Sequence, residues 1–122
     1  MTHYYINAES IRERWIPILE EDQADHATIH IYSMKPSILD ETFWTRLIEY
    51  HKNHSNVFEF HQYPSGYMIL DMMIVSDVSI HAYQQRFMKH VVLTDSTQVS
   101  MTIQHIQSII PNANIECIQL DY

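Results

Sequence analysis

Three histidines, His51, His54 and His61, crowd the stretch YHKNHSNVFEFHQY. Neutral imidazoles are the commonest nitrogen ligands for zinc-class ions and work near neutral pH as proton carriers. His51 and His54 stand three apart near the end of an expected helix, a spacing that sets two side chains on one face. His61 falls on the following strand and could supply a third nitrogen, with Asp71 adding a carboxylate. The simpler account is that His51 and His54 favour the negative end of a helix dipole. Neither an HExxH element nor a cysteine pair is present to fix a ligand spacing. The trio is therefore the weaker, metal-dependent alternative.

Other reactive-looking residues are argued down in the same way. His26-Ala27-Thr28 has the form of one half of a two-histidine phosphoesterase motif, but no other histidine repeats the His-x-Thr/Ser element. Cys117 has no basic neighbour in sequence and reads as a core thiol. The GxGxxG, GxxxxGK and GxSxG elements are absent, and Gly66 is the one glycine of the chain. No cofactor is indicated, and an enzymatic activity is the lesser expectation, carried by the alternative of a histidine-dependent or metal-dependent small enzyme.

Charge points elsewhere. The formal net charge is −8, and the seven Lys and Arg residues are scattered without a basic run. Direct nucleic-acid binding normally needs such a footprint, so it is disfavoured. Glu20, Glu21, Asp22 and Asp25 form one acidic patch. Glu59, Tyr63, Tyr67 and Asp71 form a second, in which tyrosines accompany carboxylates as they do at protein interfaces. The leading expectation is a small acidic protein-binding module, of the inhibitor, antitoxin or immunity type, engaging a basic enzyme by electrostatic steering. A homo-oligomeric regulatory or structural domain is the further alternative.

The elements that must position these residues follow from periodicity. The 122 residues, 46% apolar and 18% charged, suit a single domain spanning 1–122. Ser10 and Glu13 read as a capping box opening a helix over about 10–22, kinked or shortened by Pro17. A strand at about 27–34 and a helix at about 38–53 follow. The turn signal Pro-Ser-Gly then suggests a hairpin of strands at about 57–63 and 67–75. In its second strand Met68, Leu70, Met72 and Ile74 would face the core, leaving Asp71 exposed. The stretch 77–90 is ambiguous between helix and strand; Asp77 could cap a helix there. A short buried strand at HVVLTD, an amphipathic helix with Val99, Ile103, Ile106 and Ile110, and a strand at NIECIQL complete the chain.

The expected fold is α+β: one mixed or antiparallel sheet with helices packed on it, in a ferredoxin-like βαββαβ order. An N-terminal helix and a C-terminal αβ extension would flank that unit. The lone cysteine suits a reducing compartment, and no apolar run reaches the length of a membrane span. The N-terminal residues do not read as a signal peptide, so a cytoplasmic protein is expected.

Overall fold

The computed structural model describes residues 1–66 and 68–121. A strand absent from the sequence reading opens the chain, β1 (Thr2–Asn7), and lies at the centre of the sheet. Its residues look polar (His3, Tyr5, Asn7), yet Tyr5 and Ile6 are wholly buried because helices cover both faces. The order then runs α1 (Ala8–Ile11), a 3-10 turn (Arg12–Arg14), α2 (Trp15–Glu21), β2 (Thr28–Lys35), α3 (Glu41–Asn53) and β3 (Val57–Pro64). It ends with α4 (Ile69–Gln84), β4 (Lys89–Thr94), α5 (Thr97–Ile109) and β5 (Asn114–Gln119).

All four strand pairings are parallel, in the order β3-β2-β1-β4-β5. The fold is therefore α/β with a Rossmann-like strand order, and the expected mixed or antiparallel, ferredoxin-like sheet is overturned. The decisive difference is the stretch expected as the second hairpin strand. It forms α4, whose buried residues Leu70, Ile74, Val78 and Ala82 recur every four positions. Period-two parity obscured this because the exposed side of the helix is also apolar: Met72, Ile80 and Tyr83 face outward. A helix here also lets β3 and β4 run parallel, since parallel strands need a crossover.

The N-terminal helix is also divided differently. Asn7, not Ser10, caps it, its side-chain oxygen accepting from the Ser10 N–H at 3.3 Å. The break falls before Pro17, so that proline occupies the first turn of α2, where its missing N–H costs no helical bond.

Two cores sandwich the sheet. On one face Tyr4, Ile6, Ile29, Ile31, Val91 and Leu93 pack under α1, α2 and α3 with Trp15, Leu19, Phe43 and Leu47. On the other, Tyr5, Tyr32 and Val92 pack under α4 and α5 with Ile74, Val78, Val99 and Ile103. None of the helices among the described residues is long and apolar enough to cross a membrane.

Candidate functional site

In an open parallel sheet the crevice for ligands lies outside the carboxyl ends of the strands, where the strand order reverses. Here that point falls between β1 and β4, the strands from which the chain proceeds to opposite edges. β1 ends at Asn7 and β4 leads into Asp95 and the cap of α5. The first turn of α4 brings Asp71 to the same place: the Asn7 amide N–H donates to Asp71 Oδ1 at 2.9 Å. Asp95 stands close enough for its charge to act on Asp71, and Arg14 approaches it at 3.5 Å.

The electrostatics are unusual for an acidic protein surface. Burial, and secondarily the Asp95 charge, hold the Asp71 carboxyl above the usual carboxylate range, against the opposing hydrogen bond from Asn7. Two carboxylates with incomplete hydration favour a shared proton or a cation. Opposite charge is close by. The N-terminus of α5, capped by Ser96, opens at this end of the sheet, Arg14 pairs with Asp95, and Lys35 ends β2.

Asp71 also borders two grooves. One, of about 480 Å³, runs between α4 and α5 and is lined by Met68, Met72, Val75, Val99 and Met101. The other, of about 290 Å³, passes Asn7, Glu9, Ser10, Met34 and Ile38. Glu9 has a different task from its acidic neighbours. Its carboxylate accepts from the Met34 N–H at 2.8 Å, the Ser37 hydroxyl at 2.7 Å and the Ile38 N–H at 3.2 Å. It thus ties the β2–α3 loop to the wall of the crevice. Glu9→Gln puts an amide N–H where only acceptors fit, and should cost about 2 kcal/mol, the scale of hydrogen bonds to a charged group. A lowered urea midpoint with an unchanged slope is the expected reading; an unmoved midpoint would mean that the loop is held by other contacts.

A second cluster lies under α4, nearer the amino ends of the strands. It gathers His3, His30, His61, His81 and His90 around Tyr5 and Tyr32. Strand pairing builds it, since His30 is opposite Tyr5 on β1 and Glu59 on β3, and His3 is opposite His90 on β4. His3 Nδ1 lies 3.0 Å from His30 Nε2, and His30 Nδ1 lies 3.0 Å from His61 Nε2 and 3.2 Å from Glu59 Oε2. Separately, the Tyr5 hydroxyl is 2.9 Å from both His81 Nδ1 and His90 Nδ1. His90 Nε2–H donates to the Gln85 carbonyl at 3.1 Å, so its Nδ1 accepts from the Tyr5 O–H, which in turn accepts from His81. The Tyr32 hydroxyl donates to Asp77 at 2.7 Å.

Of these, His3, His30 and His90 are held neutral. Burial, reinforced by the neighbouring imidazoles, lowers His30 from 6.5 to about 3 and His3 to about 4. His90 is lowered by burial as well, partly offset by its bond to Gln85.

The residues singled out from sequence are dispersed. His51 is exposed on α3, its ring edge-on to Phe58 on the opposite sheet face from His61, and His54 stacks on Tyr50 beside Asp25. The structure does not bring His51 or His54 to His61; His30 and Glu59 take those places. Glu20, Glu21, Asp22 and Asp25 are exposed at the end of α2 and in the turn after it, at the amino end of the sheet. Glu59 is exposed on β3 and Tyr63 is half-buried against the α4 core. Tyr67 lies outside the described residues. Asp71 has left the exposed strand position expected for it and joined the crevice from the first turn of α4, at the carboxyl end of the sheet, whereas Glu59 lies nearer the amino end of β3. Asn7, Glu9 and Asp95 were missed, although a carboxylate just past an apolar strand, as in VVLTD, is a signal that could have found Asp95. Comparison with protein-family models, curated proteins and solved structures gives no match.

Proposed function

We propose that the protein is a divalent-cation-dependent enzyme acting on phosphate esters at the crevice between β1 and β4. The observation that carries this reading is the half-buried Asp71 carboxyl, held by Asn7 and raised by burial and by Asp95, at the point where the strand order reverses. Its donors are hard oxygens, which suit magnesium or manganese; such ions use one or two carboxylates and complete their shell with water and substrate phosphate. Asp71 and Asp95 would hold the ion, and Asn7 orients Asp71. The bound ion would supply an activated water and neutralise charge on the phosphoryl oxygens. The N-terminus of α5 favours the anionic substrate, while the methionine-lined groove receives its apolar portion.

This reading is better supported than a protein-binding module, because Asp71 now lies in the crevice rather than on an acidic interface with Glu59. A cytoplasmic setting is the one that the lone Cys117 supports.

The test is hydrolysis of bis(p-nitrophenyl) phosphate, and of a short single-stranded oligonucleotide, by chelator-treated protein with magnesium or manganese added back. Cation-dependent turnover of either substrate, lost on Asp95→Asn, is the expected result. Neither turnover nor calorimetric binding of either cation would overturn the proposal.

A further inference from the structure

We infer that His30, Glu59 and His61 form a second, zinc-class metal site, whose occupation reverses the proton positions on His30 and His3. His30 Nδ1, His61 Nε2 and a Glu59 oxygen converge, and the ligand atoms of the three residues lie within 4.8 Å of one another. The separations of 3.0 and 3.2 Å from His30 Nδ1 approach those required. A tetrahedral ion with bonds of about 2.0–2.2 Å holds neighbouring donors about 3.3–3.5 Å apart. Two imidazoles and one carboxylate are a donor set that selects zinc-class ions over magnesium or calcium, and three protein ligands leave a position for water. The site opens outward, since the Glu59 side chain is 53% exposed while that of His30 is 2% exposed. The register places Glu59 directly beside His30, and His61 projects from the same face two residues on, against the Tyr32 ring at 4.6 Å.

The proton positions follow from the metal-free geometry. A lone pair on His30 Nδ1 would face the Glu59 carboxylate at 3.2 Å, so this nitrogen carries the hydrogen and shares it between Glu59 and His61. His30 Nε2 is then an acceptor, and His3 Nδ1–H donates to it at 3.0 Å. An ion at His30 Nδ1 displaces that hydrogen. The neutral ring then carries its hydrogen on Nε2 and donates it to His3 Nδ1, and His3 becomes Nε2–H. One proton leaves at the metal side and one enters at His3, so the charge of the two rings is unchanged. His3 is accordingly a positioning residue, supplying the outer hydrogen bond that a metal-bound histidine needs.

The experiment titrates zinc chloride into the chelator-treated full chain, with cobalt as a spectroscopic probe and long-range nitrogen-15 NMR of the imidazoles. One equivalent should bind, with a tetrahedral cobalt absorption band. Glu59→Gln and His61→Gln, both at accessible positions, should each weaken binding more than tenfold. A protein with both His51→Gln and His54→Gln, and one with Asp71→Asn, should retain it. His3→Phe should weaken binding about tenfold. In wild type, His30 and His3 should both pass from Nδ1–H to Nε2–H as zinc is added. No zinc binding, or binding abolished by Asp71→Asn or the His51/His54 pair but not by Glu59→Gln, would overturn the site. Binding at Glu59 and His61 with unchanged tautomers would overturn the coupling to His3.

Discussion

Asp71→Asn should sharply reduce cation-dependent phosphoester hydrolysis while making the protein more resistant to heat. The asparagine oxygen can still accept from Asn7, so the first turn of α4 keeps its anchor to β1. What is lost is the negative charge that holds the ion. Loss of one preorganised charge-stabilising group lowers turnover by about 10²- to 10³-fold. Stability moves the opposite way, because the charged Asp71 is disfavoured in the fold by burial and by Asp95. Its folded pKa lies above the unfolded value, so removing the charge stabilises the protein at neutral pH. The advantage should vanish as the pH falls below 3.8, where the native carboxyl is protonated in both states. Parallel activity and melting measurements on the two proteins check both halves. A variant that loses stability along with activity would mean that Asp71 is a structural acceptor, and the crevice would lose its central residue.

Acidification should unfold the metal-free protein well before its carboxylates are protonated. In the unfolded chain His30, His3 and His90 titrate near 6.5, whereas the fold lowers His30 to about 3, His3 to about 4 and His90 in the same direction. The unfolded state therefore binds more protons once the pH drops below 6.5, and stability declines from there toward the folded values. It is fully present only above that range. For His30 alone, which is 1% exposed, the loss reaches about 3 kcal/mol at pH 4.5. That is a large part of the roughly 5–15 kcal/mol that stabilises an ordinary domain. Urea unfolding with chelator present, at intervals from pH 7.5 to 5, should show uptake of about two to three protons on unfolding at the lower end. A flat profile across that range would mean that water reaches the histidine cluster. Added zinc should counter the decline near pH 6 if the ion occupies His30, Glu59 and His61, because a ligand that binds only the native state stabilises it.

Local signals carried most of the elements but not the way they assemble. β2, β3, β4 and β5 lie within a few residues of the strands expected from alternation and β-branched content, and α5 follows its Ile103/Ile106 stripe. These features are short-ranged: a side-chain period of two or 3.6 is written within a dozen residues. α4 escaped because MILDMMIVSDVS is apolar on all sides, which removes the contrast that distinguishes a helix from a buried strand. β1 escaped for the opposite reason, since a central strand carrying His3, Tyr5 and Asn7 looks like a surface segment until the histidine cluster and Asp71 supply partners for those groups.

What the sequence by itself determined is therefore local: the segments with a clear period, the acidic balance, the lone cysteine and the lack of phosphate-loop glycines. It also marked His61, Glu59 and Asp71 as residues with chemical potential, though each with the wrong companions. Tertiary structure alone decided those companions. His30 meets Glu59 and His61 through the register of two parallel strands, and Asn7 meets Asp71 through the docking of a helix on the sheet, 64 positions apart in the chain. Such meetings depend on which strand lies beside which. That depends in turn on burying both faces of β1 at once, a property of the assembled sheet that no single segment contains.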